Sequence, residues 1–267
     1  MKSSNNFYTD IYSFFVLKKK INKVRMENIF SKLKIDSTFK TTSYNRTNDL
    51  NIKLKKHITK YFTKKITLCD IGISSGHSTK ELYDYLDKNK INYIYGFDKQ
   101  INIKIYKLNN FVFLYSLKNE LMMVEYDKYC LRFRYFYFFK KIEKLLIHMF
   151  KYMNIKFKKT NVLIPDLEKI TKCKFFEQDI FDIEKKYSNS FDVVRVTNLL
   201  NYSYFSKSKL KKAIVNINKI SKENCIVLIN RTTDKKKNMA SFFRKRRGKF
   251  ELLEDINGGS EIKDLII

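Results

Sequence analysis

The sequence predicts an α/β protein with a mostly parallel, doubly wound sheet, and three segments support this prediction. Residues Ile66–Asp98 follow the order strand, glycine turn, helix, strand and acid. A short apolar run ending in an acid recurs at Cys173–Asp179, and Phe191–Thr197 is a third apolar run that begins F-D-V-V. Short apolar runs that alternate with helical patterns are typical of buried parallel strands joined by helices.

Glycine marks the turn in the first segment. The chain has only six glycines, and three of them (Gly72, Gly76 and Gly96) lie between Ile66 and Asp98. In a chain so poor in glycine, each one indicates a backbone position where a side chain would not fit. The following helix is predicted from the spacing of its apolar residues, with Ser78 or Thr79 capping its start.

This arrangement predicts a site for a nucleotide-like ligand at a strand-to-helix turn. The free N–H groups of the helix start face the ligand, and glycines allow a close approach. Asp98 ends the second strand 22 residues after Gly76, where a carboxylate can accept hydrogen bonds from ribose hydroxyls. Asp70 lies two residues before Gly72, where it would repel a phosphate and attract an amino group or a sulfonium.

Composition and charge leave two interpretations open. The chain has 267 residues, enough for one core with an insertion or an arm, and a formal net charge of +28. This charge favours nucleic acid or an anionic membrane as a partner. Alternatively, it reflects a bias towards Lys, Ile, Asn, Phe and Tyr that runs along the whole chain.

Cysteine and histidine usage gives no indication of a metal site. The four cysteines are widely spaced without a C-x-x-C pair, and there are three histidines. We therefore expect no metal and a reducing, cytoplasmic location. No apolar run reaches the roughly 18 residues of a membrane span. The run Ile11–Leu17 is short and lacks the cleavage site of a secretory signal.

The first 60 residues form a basic arm, with 14 Lys and Arg against 4 Asp and Glu. Helices are predicted near Tyr12–Leu33 and Asn51–Phe62. The arm either contributes to the site or is a solvated lid or partly disordered tail.

Residues 99–160 are predicted to be an insertion, because the next strand with an acid lies about 80 residues after Asp98. Phe111–Leu117 and Leu121–Val124 predict a hairpin, which Tyr129–Phe133 extends. Arg134–Asn154 predicts an amphipathic basic helix. That helix packs on the core, lines the substrate pocket or a dimer contact, or lies on an anionic membrane.

The remaining segments complete the predicted sheet. Helices are expected at Pro165–Lys172 and Ser208–Ser221, with a strand at Cys225–Asn230. Phe250–Ile256 and Glu261–Ile267 flank an Asn-Gly-Gly turn and predict a C-terminal hairpin.

Two polar segments in the last third of the chain have roles that the sequence leaves open. Asn198 and Asn201 can accept a hydrogen bond from an amine or hydroxyl, and Tyr202 can stack on an aromatic acceptor. Alternatively, these residues only close a loop after the strand. The cluster Arg244–Arg247 either contacts phosphates of RNA or belongs to a solvated loop.

The letters D-I-G-I-S-S-G resemble motif I, D/E-x-G-x-G-x-G, of the class I S-adenosylmethionine (SAM)-dependent methyltransferases. Ser74 replaces the middle glycine. The resemblance implies a Rossmann-like sheet, N-terminal helices, a C-terminal antiparallel hairpin whose last strand opposes the others, and SAM as cofactor. In the family, the acid after strand three bonds the adenine amino group and its apolar neighbour packs on the ring, positions matched by Asp179 and Ile180. Strand four, which often begins F-D-x-V/I, ends at the methyl-donor sulfur. The implied cofactor site is Asp70, Gly72, Ser74, Gly76, Asp98, Asp179, Ile180 and Asn198, and the catalytic candidates are Asn198, Asn201 and Tyr202.

The resulting prediction is a SAM-dependent methyltransferase, with residues 61–267 as the methyltransferase-like domain and a small molecule or protein side chain as acceptor. Methyl transfer needs positioning above all, so the lack of an obvious base does not oppose it. The amino-methylating motif N/D-P-P-Y/F/W is absent, which disfavours DNA bases and glutamine as acceptors. The alternatives are an RNA methyltransferase that uses its basic surface and a non-catalytic relative that binds a partner or a membrane surface.

Overall fold

The computed structural model describes residues 10–35, 38–39, 44–127, 129–131, 137–233 and 237–266. These residues form two compact units. The smaller unit groups the described residues of Met1–Ser43 with Gln100–Pro165, and the larger unit groups Tyr44–Lys99 with the described residues of Asp166–Ile267. The expected arm is therefore divided, because its first helices belong to the smaller unit and Asn48–Tyr61 to the larger.

The elements of the described residues are numbered in chain order. The helices are α1 (Ile11–Phe15), α2 (Lys23–Lys32), α3 (Asn48–Tyr61), α4 (His77–Tyr85), α5 (Tyr137–Tyr152), α6 (Pro165–Glu168) and α7 (Lys207–Ile220). The strands are β1 (Lys34–Ile35), β2 (Thr38–Phe39), β3 (Ile66–Ile71), β4 (Ile91–Asp98), β5 (Asn102–Leu108), β6 (Phe111–Ser116), β7 (Leu121–Tyr126), β8 (Tyr129–Leu131), β9 (Lys158–Asn161), β10 (Cys173–Glu177), β11 (Phe191–Thr197), β12 (Ser221–Thr232), β13 (Asn238–Arg246) and β14 (Lys249–Ile256).

The larger unit contains the predicted Rossmann-like sheet. Its described strands lie in the order β10-β4-β3-β11-β12-β13-β14. The first five run parallel, whereas β13 is antiparallel to both β12 and β14. The strand order reverses between β3 and β11, and ligands of such sheets bind outside the carboxyl ends of the strands at that point.

Burial explains why the central strands are apolar. β3 and β11 lie in the middle of the sheet and are buried at nearly every position. Helix α7 packs on one face through the predicted residues Leu210, Ala213, Ile214 and Ile217, which are all buried. This layer forms the main core of the larger unit.

A C-terminal hairpin is present, and its predicted strand Phe250–Ile256 is confirmed as β14, whereas the prediction of a strand at Glu261–Ile267 was wrong. The pair is β13 with β14, joined at Arg247 and Gly248, whose φ values of 50° and 75° suit a tight turn. The described residues after Ser260 contain no strand, because three consecutive positive φ values (51°, 91° and 87°) at the Asn-Gly-Gly segment end β14. Ile262 then folds back into the core. The strand that opposes the others is consequently β13, the penultimate one.

Helix α6 is also shorter than predicted, since it ends at Glu168 instead of Lys172.

The smaller unit contains an antiparallel sheet in the order β8-β7-β6-β5-β9. The hairpin of β6 and β7 and the following helix α5 confirm the predicted inserted hairpin-helix element. On α5, Phe150 is buried, and its ring centroid lies 4.5 Å from Tyr106 and 5.1 Å from Phe113. Leu145 is exposed, so only part of the predicted apolar face packs on the sheet.

The N-terminal helices pack within the same smaller unit. Ile11 on α1 and Phe30 on α2 are fully buried. The buried carboxylate of Glu125 accepts the backbone N–H of Ile11 at 2.7 Å and pairs with Arg25. No helix in the described part of the chain combines the length and hydropathy of a membrane span.

Candidate cofactor site

The turn after β3 is formed by residues in left-handed conformations. The φ values are +79° at Gly72, +55° at Ser74 and +76° at Gly76. The conformation favours glycine at Gly72, and a Cβ atom there would lie 3.2 Å from the side chain of Leu199, which would have to shift. Ser74 adopts the same conformation at the position where the family motif has glycine.

Asp98 lies directly beside this turn. Its Oδ2 accepts the backbone N–H of Ser74 at 2.7 Å. The backbone also joins the two elements, since the N–H of Gly72 donates to the carbonyl of Phe97 at 2.8 Å. The acid and the glycine turn that the sequence singled out therefore meet at one strand end.

The end of β10 lies next to Asp98. The N–H of Gln178 donates to the carbonyl of Asp98 at 3.0 Å. Asp179 is half-buried, with its Oδ1 accepting the N–H of Phe181 at 3.0 Å and its Oδ2 3.9 Å from the ammonium of Lys99. Ile180 is buried in the core cluster under α7.

Asp70 has a different environment, because its carboxylate is neutralised within the core. Arg195 donates to both oxygens of Asp70, at 2.9 and 2.5 Å, and both side chains are buried. Thr79 donates to the same carboxylate at 2.6 Å, and Arg195 also donates to Asn51 at 3.0 Å. A buried arginine must have a partner, so the Arg within V-V-R-V-T was the sequence signal that we missed.

Neither Ser78 nor Thr79 caps α4, contrary to the prediction. The N-cap residue is Gly76, which has no capping side chain. Thr79 is instead engaged by Asp70, and the hydroxyl of Ser78 lies 3.2 Å from that of Thr47. Thr79 does not cap the helix because its hydroxyl donates to the buried carboxylate of Asp70.

A His–Glu pair immediately after the turn was also missed. Nε2 of His77 lies 2.9 Å from Oε1 of Glu81, which also accepts the N–H of Asn45 at 2.7 Å. Burial disfavours ionisation of Glu81, but the hydrogen bonds from His77 and Asn45 outweigh it and lower the pKa of the carboxyl. The i, i+4 spacing on a predicted helix was the available signal.

The three catalytic candidates occupy different environments. Asn198 has φ +57° and accepts the N–H of Thr232 at 2.6 Å. Asn201 is buried, and its Oδ1 accepts the hydroxyl of Ser203 at 2.6 Å and the N–H of Tyr204 at 3.0 Å, which organises the loop. The side chain of Tyr202 is about half exposed.

A chain of contacts links this loop to the C-terminal segment. Glu261 accepts the N–H of Tyr202 at 2.7 Å and pairs with Arg231 at 2.8 Å. Arg231 in turn donates to the hydroxyl of Ser203. Since Leu199 of the same loop abuts Gly72, the post-β11 loop is held against the glycine turn.

Several buried polar atoms at these strand ends have no hydrogen-bond partner within the described residues. They are Oγ of Ser74, Nδ2 of Asn198, and both Nδ2 and Oδ1 of Asn230. The backbone carbonyl of Asn230 accepts the N–H of Asn198, so the two residues are neighbours. Buried polar groups are rarely left unpaired, so these atoms mark strand ends whose polar groups the described residues do not satisfy by themselves.

The cluster Arg244–Arg247 lies towards the amino-terminal ends of the parallel strands, away from the candidate site. β13 starts beside Thr232 at the carboxyl ends of the parallel strands, and Arg246 lies eight residues further on. The site residue Asn230 lies opposite Ala240, so Arg244 and Arg246 lie four and six residues beyond the site, roughly 13 and 20 Å along the strand at about 3.3 Å per residue. Lys245 is engaged with the carbonyls of Asn218 and Ser221.

The cysteines of the larger unit are inert thiols at neutral pH. Burial raises the pKa of Cys173 and of Cys225 to about 12. Among the described residues, no group of three or more His, Cys, Asp or Glu is placed to hold a metal ion.

No protein-family model and no curated protein matches this sequence. Solved structures with a similar fold include a candidate protein-L-isoaspartate O-methyltransferase of Plasmodium falciparum in complex with S-adenosyl-L-homocysteine, at 15% identity and TM-score 0.39 over 91% of this chain and 86% of that one. The CurJ carbon methyltransferase matches at 13% identity and TM-score 0.38 over 68% of this chain, which spans 35% of that protein. YcgJ of Bacillus subtilis matches at 11% identity and TM-score 0.33 over 69% of this chain and 51% of its own. Similarity at this level concerns the fold and carries no argument about function.

Proposed function

We propose that the larger unit binds SAM and transfers its methyl group to an acceptor at the carboxyl end of β11. The observation that carries the proposal is the contact between Asp98 and the N–H of Ser74, which joins a strand-end acid to a glycine turn. This juxtaposition supports a ligand with a ribose, because a carboxylate can accept hydrogen bonds from ribose hydroxyls beside such a turn.

The proposed roles take the positions that the family resemblance implies and adjust them to the surroundings of each residue. Asp98 accepts the ribose hydroxyls, and Asp179 with Ile180 holds the adenine. Gly72 and Gly76 give the backbone its close approach, and Ser74 and Asn198 offer the unpaired Oγ and Nδ2 to polar groups of the cofactor.

Asp70 is given an indirect role. Its pairing with Arg195 supports a function in holding β3, β11 and α4 together, so that the turn keeps its shape. It contributes to the cofactor site by positioning and not by attracting the sulfonium.

For the transfer step, bound SAM supplies an electrophilic methyl group on a positively charged sulfur. The chain contributes position, because the loop at Asn198–Tyr202 is held by Glu261 and abuts the glycine turn. Residues of this loop would hold the acceptor beside the cofactor, which is the positioning that the transfer requires. Asn198 and Tyr202 are the residues proposed to orient it, whereas Asn201 maintains the loop.

The test begins with mass spectrometry of the purified protein for co-purified SAM or S-adenosylhomocysteine, followed by calorimetric titration with both. We expect micromolar or tighter binding. Absence of binding by either ligand would contradict the proposal and leave only the fold.

Two observations favour a second candidate, a non-catalytic protein with this fold. Ser74 replaces a glycine of the motif, and the motif acid Asp70 is already paired. The same titration separates the two candidates, because the non-catalytic alternative predicts no response to SAM. The structure gives less support to an RNA acceptor held by the basic cluster at Arg244, because the cluster lies away from the carboxyl ends of the strands.

A further inference from the structure

An exposed row of aromatic side chains crosses the sheet of the smaller unit. Phe111 on β6 lies opposite Tyr126 on β7, and Tyr126 lies opposite Tyr129 on β8. Their exposed fractions are 39%, 45% and 60%. The ring centroids of Phe111 and Tyr126 are 4.5 Å apart.

This row lies beside the covered part of the same sheet face. Phe113 and Val124 form the next row inward, and both are buried in the cluster around Phe150 of α5. The rings of Phe111 and Phe113 stack at 5.9 Å, which places the exposed row on the same face as the buried one. Contiguous exposed apolar surface of this kind is typical of an interaction site.

The net charge of the chain is concentrated in this unit. Residues 1–43 and 100–165 contain 22 Lys and Arg against 7 Asp and Glu, a net of +15 within 109 of the 267 residues. The larger unit contributes the remaining +13 over 158 residues. Lys144, Lys151 and Lys156, on and after α5, are exposed. The partner of this unit is therefore expected to be anionic.

We propose that the aromatic row of the smaller unit binds single-stranded nucleic acid. Proteins that bind single strands stack bases on aromatic rings and attract phosphates with Lys and Arg, and adjacent strands of a sheet place rings at a spacing that successive bases can use. A lipid surface fits less well, because Asp127 directly follows Tyr126 and the half-covered rings cannot penetrate far. The proposal is independent of SAM binding, since it concerns the smaller unit alone.

The test is fluorescence anisotropy of the full chain with labelled 15-nucleotide oligo-U and oligo-dT at several salt concentrations. We expect binding that weakens steeply with salt. The double substitution Tyr126→Ala/Tyr129→Ala should weaken binding at least about tenfold, because two stacking contacts are lost. Tyr126→Phe/Tyr129→Phe should retain the affinity, because the rings remain.

The matched control is Tyr152→Ala, which removes a tyrosine that is 90% exposed on α5 and lies outside the row. It should bind as the unsubstituted chain does, and circular dichroism confirms that all variants are folded. Three results would overturn the proposal: no oligonucleotide binding at low salt, equal binding by the alanine double variant, or binding to phosphatidylserine vesicles that depends on the row while oligonucleotides do not bind.

Discussion

At each of the two ends of the parallel strands in the seven-stranded sheet, an aspartate accepts a backbone N–H. The surroundings of these two aspartates differ. At the amino-terminal edge of the parallel strands, Asp192 accepts the N–H of Thr67 at 2.8 Å and both its oxygens receive the ammonium of Lys222, at 3.0 and 3.1 Å. At the carboxyl edge, Asp98 accepts the N–H of Ser74 at 2.7 Å.

The difference concerns the neighbouring polar atoms. At the carboxyl ends of β3, β11 and β12, Ser74, Asn198 and Asn230 have buried side-chain atoms without partners in the described residues. Towards the amino-terminal ends, the hydroxyl of Tyr187 and Nε of Arg244 are unpaired in the described residues, and the guanidinium of Arg244 donates to Asn224. This difference is what the proposed cofactor site at the carboxyl ends of the strands requires.

The largest expected effect is on the free energy of unfolding, at Arg195 in the middle of β11. Arg195→Met should lower the free energy of unfolding by about 3–5 kcal/mol, because it leaves the carboxylate of Asp70 buried without its cation. Urea denaturation measures this change. The matched variant Lys222→Met removes a partly exposed pair and should cost at most about 1 kcal/mol. Equal losses in the two variants would contradict the assignment of Arg195 to the core.

The next effect is on SAM affinity, and it distinguishes the two ends of the parallel strands directly. Asp98→Ala should weaken SAM binding roughly 10- to 150-fold, equivalent to about 1.5–3 kcal/mol for charge-assisted hydrogen bonds. Asp192→Ala loses a similar bond to a backbone N–H at the other edge and should leave SAM affinity unchanged. Calorimetric titration of both variants provides the measurement, and a comparable loss in Asp192→Ala would show that the effect is only structural.

A smaller effect is expected at Ser74. Ser74→Ala removes a buried unpaired hydroxyl and should raise the free energy of unfolding without ligand by about 1 kcal/mol. The same change should weaken SAM binding several-fold, because a hydrogen bond to the ligand is lost. Ser190→Ala, an exposed serine whose hydroxyl bonds locally, should change both quantities by only a few tenths of a kcal/mol. Improved SAM binding by Ser74→Ala would refute the role of its hydroxyl.

The smallest effect concerns pH. The pKa of Glu81 in the folded chain is below its ordinary value of 4.5. Its contribution to stability is therefore present above about pH 4.5 and is lost as the pH falls through the lower folded pKa. The difference in unfolding free energy between the unsubstituted chain and Glu81→Gln should shrink in that window. Asp84→Asn, on the exposed side of the same helix, is the control, and an equal shrinkage there would remove the special role of Glu81.

Local patterns predicted most of the larger unit because its strands are buried on both faces and its turn requires glycine. The run Ile66–Asp98 contains the full strand, turn, helix and strand, and β11 was found from its apolar residues. What the sequence did not reveal depends on partners distant in the chain. Arg195 pairs with Asp70, which lies 125 residues earlier in the chain. The same carboxylate accepts the hydroxyl of Thr79, which therefore does not cap α4.

The smaller unit was less predictable for a related reason. β5 was missed although its alternation of polar residues with the buried Ile103 and Ile105 is typical of a strand, and it pairs with β9 more than 50 residues later. The placement of α1 and α2 with this sheet depends on Glu125, whose partners Ile11 and Arg25 lie at least 100 residues away. The role of residues 1–60, the cytoplasmic location and the acceptor stay predictions.

Hydrogen–deuterium exchange with and without S-adenosylhomocysteine tests the central claim most directly, because it reports where on the sheet the ligand binds. We predict protection of the segments that contain Gly72–Gly76, Asp98 and Asn198, with no change at Asp192 or at the turn of Arg247 and Gly248. Protection confined to the amino-terminal edge, or none at saturating ligand, would contradict a cofactor site at the carboxyl ends of the strands.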